Sequence, residues 1–202
     1  MPLWGTCMGF QWLLISASRD QDILDPKSGQ MDAYNLSIPL EFASTGRNSK
    51  MFANAPEYIY KSLATLNVTM NNHHYGIWTE HFEATESLNS FFNMISTNVD
   101  RNGDSFVSTI EAFDYPIFGS QWHPEKNIFE YVDGVPSEAI NHSPDAVLVA
   151  QYAANFFVQQ TRKSTHFYSV PEEEDSALIY NYTPTKSGGG SFVQKYYFSN
   201  DF

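Results

Sequence analysis

The segment Leu3-Trp4-Gly5-Thr6-Cys7-Met8-Gly9 places the only cysteine of the 202-residue chain between two glycines. Apolar residues precede it, and the largely apolar run Met8 to Ser18 follows it. A Gly-x-Cys-x-Gly pattern between a strand end and a helix start reads as a nucleophile elbow with sulfur in place of the serine oxygen. Gly5 and Gly9 are expected to make room for a turn too sharp for side chains, with a strained backbone at the nucleophile. Cys7 would then sit at a helix N-terminus, where unpaired N–H groups and the dipole favour a thiolate. The backbone N–H of Met8 would point where a tetrahedral oxyanion forms. A strand–elbow–helix unit requires a sheet that helices can cover, so this one segment already argues for an α/β fold.

The rest of the sequence is compatible with that fold and excludes some functions. Hydrophobic residues make up 42% of the chain, enough to fill the core of one domain over residues 1–202. A net charge of −12 with only 11 Lys and Arg argues against a nucleic-acid partner, since phosphate binding needs clustered cations. No stretch approaches the roughly 18 to 20 apolar residues of a membrane helix. No basic, apolar leader precedes Pro2, so no secretory signal is expected in this sequence. A single cysteine rules out an internal disulfide, which reads as cytosolic. Four glycosylation sequons, at Asn35, Asn67, Asn141 and Asn181, point instead towards a secretory route.

Elements alternate along the chain. Met8 to Ser18 is predicted as a buried helix and Leu36 to Phe42 as an edge strand, because Pro39 lacks a ladder donor. Ala55 to Leu66 reads as a helix with Pro56 in its first turn, and Ser87 to Phe92 as a short one. Asn93 to Val99 and Ser105 to Ala112 flank Arg101-Asn102-Gly103-Asp104, which predicts a hairpin closed by a tight primed turn. Pro116 to Trp122 is a buried strand candidate. Ser143-Pro144-Asp145 opens a helix whose apolar face is expected at Val147, Ala150, Ala154, Phe157 and Val158, ending near Arg162-Lys163. Glu172 to Asp175 reads as a solvated loop. Gly188-Gly189-Gly190 reads as a turn, without the Lys-Ser/Thr of a phosphate-binding loop.

A cysteine nucleophile needs a base, and the base needs an orienting acid. Of six histidines, only His123 follows a predicted buried strand with an acid two residues on. Pro124 fixes the backbone between them, so Glu125 can fold back and hold the imidazole tautomer.

Pro2 to Phe10 together with Ser120 to Asn127 (SQWHPEKN) resembles the γ-glutamyl hydrolase family, within the class I glutamine amidotransferase-like superfamily. Ser49 to Phe52, Asn72 to Tyr75, Phe91 to Asn93, Phe106 to Thr109 and Glu172 to Tyr182 resemble family segments in the same order, so the resemblance covers nearly the whole chain. It implies a three-layer α/β sandwich with a flavodoxin-like sheet and the elbow on a central strand. It also implies that the family's N-terminal strands, and a second oxyanion donor they carry, are missing from this sequence. The same resemblance gives Cys7 the role of nucleophile, His123 of base and Glu125 of third triad member. His73 and Gln11 become substrate-side residues, although Gln11 stands where many members have Glu.

The implied reaction is cleavage of γ-glutamyl amides in folyl and antifolyl poly-γ-glutamates through a thioester. It needs no metal or cofactor, and takes place in a lysosome, a vacuole or outside the cell. A homodimer is left open. Arg19, Arg101 and Lys126 are the candidate cations for substrate carboxylates. A glutaminase domain and a non-catalytic family member are the rival readings.

Overall fold

The apolar run after Cys7 forms the expected helix, α1 (Met8–Ser18), directly after strand β1 (Leu3–Thr6). The computed structural model describes residues 1–24, 31–131, 138–186 and 194–198. Where the sequence suggests one domain over 1–202, the chain forms two compact units, Met1–Ser164 and Thr165–Phe202.

The first unit carries the elbow. Its strands continue with β2 (Ala33–Ile38), β3 (Glu41–Phe42), β4 (Thr69–His73), β5 (Phe92–Val99), β6 (Ser105–Ala112) and β7 (Ile117–Ser120). A mixed five-stranded sheet runs in the order β1-β7-β6-β5-β3, with β1 parallel to β7 and the other pairs antiparallel. Among the described residues β1 is therefore an edge strand, where a central one was expected. The remaining helices are α2 (Glu57–Thr65), α3 (Thr79–Ala84), α4 (Glu86–Asn89), α5 (Lys126–Phe129) and α6 (Pro144–Thr161).

Two apolar clusters cover the two faces of the sheet. Phe10 and Leu14 of α1, Phe82 of α3 and Leu88 of α4 pack with Phe92, Val107 and Ile110. Ile59 and Leu63 of α2 and Ala146, Val149 and Phe156 of α6 pack with Ile95, Phe118 and Trp122. Each such large side chain, fully buried, contributes roughly 1.5–3 kcal/mol. The result is the helix–sheet–helix sandwich that an α/β reading requires.

Several expectations needed correction. Leu36 to Phe42 is two strands in two sheets: β2 pairs with β4, β3 pairs with β5, and the chain breaks between them at Pro39. Pro39 has no N–H to give a ladder, and its carbonyl is taken by the Asn98 side chain instead. The hairpin forms, but not with a two-residue turn. The buried Asp100 carboxylate collects the N–H groups of Asn102 and Asp104, giving a wider Asp100–Asp104 loop with Gly103 at φ 92°. Pro56 is the N-cap of α2, one position ahead of the first turn. Residues Glu86–Asn89 are helical as α4, whereas Phe92 already belongs to β5.

Helix α6 starts as expected, with Ser143 Oγ accepting from Ala146 N. Its buried face is Ala146, Val149, Ala150 and Phe156, and of the five expected residues only Ala150 is fully buried. The helix is apolar on more than one side, so spacing alone could not choose the stripe. Ala154 and Phe157 instead line an open apolar groove with Thr6, Glu125 and Phe129.

In the second unit the acids Glu172, Glu173 and Glu174 form the first turn of helix α7 (Pro171–Ala177), where negative charge complements the dipole. They are solvated but helical, not a loop. Short strands β8 (Thr185–Lys186) and β9 (Gln194–Lys195) pair antiparallel. The Gly188–Gly190 turn lies outside the described residues.

Candidate active site

Cys7 is the junction of β1 and α1, and its backbone is strained: φ is 50° and ψ −104°. A non-glycine residue held there costs on the order of 1–3 kcal/mol. Two hydrogen bonds secure it. Cys7 N–H donates to Ser120 O at the end of β7 (2.8 Å), and Cys7 O accepts from Gln11 N (3.0 Å), the first bond of α1. Gly5 is required by space, since a Cβ there would lie 2.5 Å from Gly9 O. Gly9 is not required in that sense, because its own Cβ would meet nothing within 4 Å. What Gly9 contributes is the backbone that Gly5 approaches. Met8 opens α1, so its N–H is one of the first-turn donors without an intrahelical acceptor.

His123 follows β7 and crosses to β4, where its N–H donates to Met70 O (2.8 Å). Its ring feels both the Cys7 side chain and the Glu125 carboxylate. The Glu125 contact is Nδ1 to Oε1 at 2.6 Å, which leaves Nε2 for the sulfur. Burial opposes a charge on this ring, but the hydrogen bonds and negative charge of Cys7 and Glu125 outweigh it, and the pKa is pushed up to about 9. Burial would also raise the Glu125 carboxyl. The bond to His123 and the charge of the ring prevail, with help from Lys126, and hold it below the usual carboxylate range. The three side chains expected to work together are thus brought together.

A second group of residues lies behind the sulfur. Gln121, two residues before His123, is completely buried, and its Nε2 points at Cys7 Sγ, 3.8 Å away. Gln11 Nε2 lies 3.5 Å from Gln121 Oε1 and donates to Tyr75 O at 2.8 Å. The same Tyr75 carbonyl is 3.0 Å from His73 Nδ1, while His73 Nε2 is 3.1 Å from Asn71 Oδ1. Burial pushes the His73 pKa down to about 3, and the nearby His123 charge adds to it. His73 and Gln11, expected on the substrate side, are both engaged by the chain's own groups. His74 instead stacks on Tyr34 at 4.8 Å between ring centroids.

Nothing in residue order singles out Gln121, Asn71 or the Tyr75 carbonyl. One signal was available: residues i and i+2 of an extended chain share a side, and Gln121 stands in that relation to His123.

The three candidate cations fare differently. Arg19 caps the far end of α1, about 18 Å from Cys7 at 1.5 Å per residue, which removes it from the site. Arg101 is tied to Asp32 (2.9 Å) and to the carbonyls of Tyr34 and Asn35. Lys126 is next to the triad, but its Nζ pairs with Glu130 Oε2 at 2.5 Å. Among the described residues no group of three or more His, Cys, Asp or Glu is placed to hold a metal, and no helix is long and apolar enough to cross a membrane.

Comparison with known proteins shows the family of the chain. Residues 1–131 match the family described as glutamine amidotransferase class-I. The chain is 41% identical over 199 residues to γ-glutamyl hydrolase B of Dictyostelium discoideum, covering 98% of this chain and 55% of that protein. It is 39% identical to γ-glutamyl hydrolase of Bos taurus, with 98% and 59% covered, and 39% identical to γ-glutamyl hydrolase 1 of Arabidopsis thaliana, with 98% and 55% covered. It therefore spans a little over half the length of these curated relatives.

Proposed function

Because the chain belongs to the class-I glutamine amidotransferase family, we propose that it is a cysteine hydrolase of γ-glutamyl amides, acting on folyl and antifolyl poly-γ-glutamates. The observation that carries the reading is the His123–Glu125 pair beside Cys7 at the elbow, with Glu125 Oε1 2.6 Å from His123 Nδ1 and both Cys7 and Glu125 acting on the ring. The names of the relatives support the choice of bond, and the similarity covers 98% of this chain.

The proposed cycle uses the raised proton affinity of His123. At neutral pH the ring is an imidazolium beside the sulfur. The Cys7 thiolate attacks the γ-carbonyl carbon, and the developing oxyanion takes the Met8 N–H. When the tetrahedral intermediate collapses, the C–N bond breaks and His123 Nε2 gives its proton to the leaving α-amino nitrogen. Acylation removes the sulfur's negative charge, one of the two anions that kept the ring protonated, so the proton leaves more readily at this stage. The neutral ring then takes a proton from water, hydroxide attacks the thioester, and the thiolate departs with His123 again charged. Glu125 keeps the tautomer correct throughout.

His73 stays neutral down to about pH 3 and His123 charged up to about pH 9, so the site keeps its charges in an acidic vacuole or lysosome. The test is a comparison of substrates. Hydrolysis of a pteroyl poly-γ-glutamate with free glutamine left untouched supports the proposal. Glutamine turnover without γ-glutamyl peptide cleavage would favour a glutaminase. No turnover of either, with an unreactive Cys7, would favour a non-catalytic role.

A further inference from the structure

The geometry points to a role for Gln121 that the triad does not cover: we infer that its buried carboxamide is a positioning residue that holds the Cys7 sulfur as a thiolate. This rests on the reading of Cys7 as the nucleophile.

A carboxamide that is 0% exposed must find partners inside the protein. Among the described residues, the only polar atom within hydrogen-bonding reach of Gln121 Nε2 is Cys7 Sγ. A neutral thiol is a poor acceptor, whereas a thiolate is a charged one, and hydrogen bonds to a charged partner are roughly twice as strong as neutral ones. The contact is 3.8 Å, within the reach that the large sulfur atom allows. The amide therefore favours the charged state of sulfur from its buried side.

The other end of the carboxamide fixes which way it points. Gln11 Nε2 faces Gln121 Oε1 and is itself held by the Tyr75 carbonyl, so the oxygen of Gln121 is turned away from sulfur and the NH₂ towards it. Gly76 closes the remaining side: a Cβ there would sit 3.4 Å from Gln121 Oε1 and 3.0 Å from Met31 Cε. The main chain is fastened as well, with Gln121 N–H on Ser108 O at 2.8 Å. Sulfur thus has two donors to draw on, the imidazolium of His123 and the amide of Gln121. The first is consumed in each turnover and the second is not.

The experiment is the pH dependence of Cys7 alkylation by iodoacetamide in the intact chain, with folding followed by near-UV circular dichroism. Gln121→Leu removes the donor at similar volume, and Gln121→Glu replaces it with an acceptor of the same shape. Relative to wild type, the expected rate at pH 6 is about fivefold lower for Gln121→Leu and more than tenfold lower for Gln121→Glu. Rates at pH 9 should agree within about twofold. An unchanged midpoint, or a loss equal at both pH values, overturns the inference. Should neither variant fold, Gln11→Leu is read instead. It frees the carboxamide without touching sulfur, and a shift in the same direction of about twofold at pH 6 is expected, an unmoved midpoint being the contrary result. Alkylation needs no γ-glutamyl substrate. A chain that hydrolyses nothing but shows these shifts would sink the proposed function alone. An active chain without them would sink the role of Gln121 alone.

Discussion

His73 is buried and His123 partly buried, and both are associated with β4, yet they are opposite in charge. His73 has two oxygen neighbours, Tyr75 O and Asn71 Oδ1, and neither is an anion. Burial decides the outcome, and the ring carries one proton for two acceptors. His123 has two neighbours that can be anions, the Cys7 sulfur and the Glu125 carboxylate, and there burial loses. The lesson is that depth does not set the charge of an imidazole here. The charge of what it touches does.

Four results test that contrast. The largest concerns catalysis: His123→Ala should lower γ-glutamyl hydrolysis by about 10³- to 10⁴-fold, as removal of a general acid–base does. His73→Ala, assayed where it is folded, should cost far less, and equal losses would erase the distinction.

The second is stability against pH, where the two rings act in opposite senses. His123 is raised from 6.5 to about 9 on folding, so its contribution is complete below 6.5 and is lost as pH rises through 9. At full strength it amounts to about 3 kcal/mol. His73 is lowered from 6.5 to about 3, so its contribution is complete above 6.5 and declines as pH falls towards 3, by up to about 1.4 kcal/mol per pH unit. Denaturant titrations across pH should show an alkaline slope that disappears in His123→Ala and an acid slope that weakens in His73→Gln. Swapped slopes would contradict both assignments.

The third removes one anion. Glu125→Gln keeps the shape but not the charge, so the His123 ring should lose its proton at lower pH and turnover should fall roughly 10- to 100-fold. The imidazole carbon–proton NMR shift across a pH titration reads the first effect directly. The smallest effect is Arg19→Ala. At the far end of α1 it should leave kcat/KM within about twofold, and a larger loss would mean that the distance argument fails.

Much of this site was readable from residue order alone. Cys7 between Gly5 and Gly9, ahead of an apolar helix, announced the elbow, and His123-Pro124-Glu125 announced the pair that joins it. These signals are local, and each needs only a few residues to be specific. The Ser143-Pro144-Asp145 start of α6 was legible for the same reason. The amides behind sulfur were not, because Gln11, Tyr75 and Gln121 meet only after three separate segments pack together. The exposed face of α6 was missed on different grounds: with apolar residues on several sides, Ala154 and Val158 looked as buriable as Ala146 and Val149. The split of Leu36–Phe42 into β2 and β3 turned on Pro39, which correctly indicated an edge but not that the chain would change sheets there.

The decisive measurement is acid-quenched mass spectrometry of the intact chain during turnover of a pteroyl poly-γ-glutamate. A γ-glutamyl group on the peptide containing Cys7, absent in Cys7→Ala together with all hydrolysis, is the predicted result. A Cys7→Ala chain that still cleaves the substrate would contradict it.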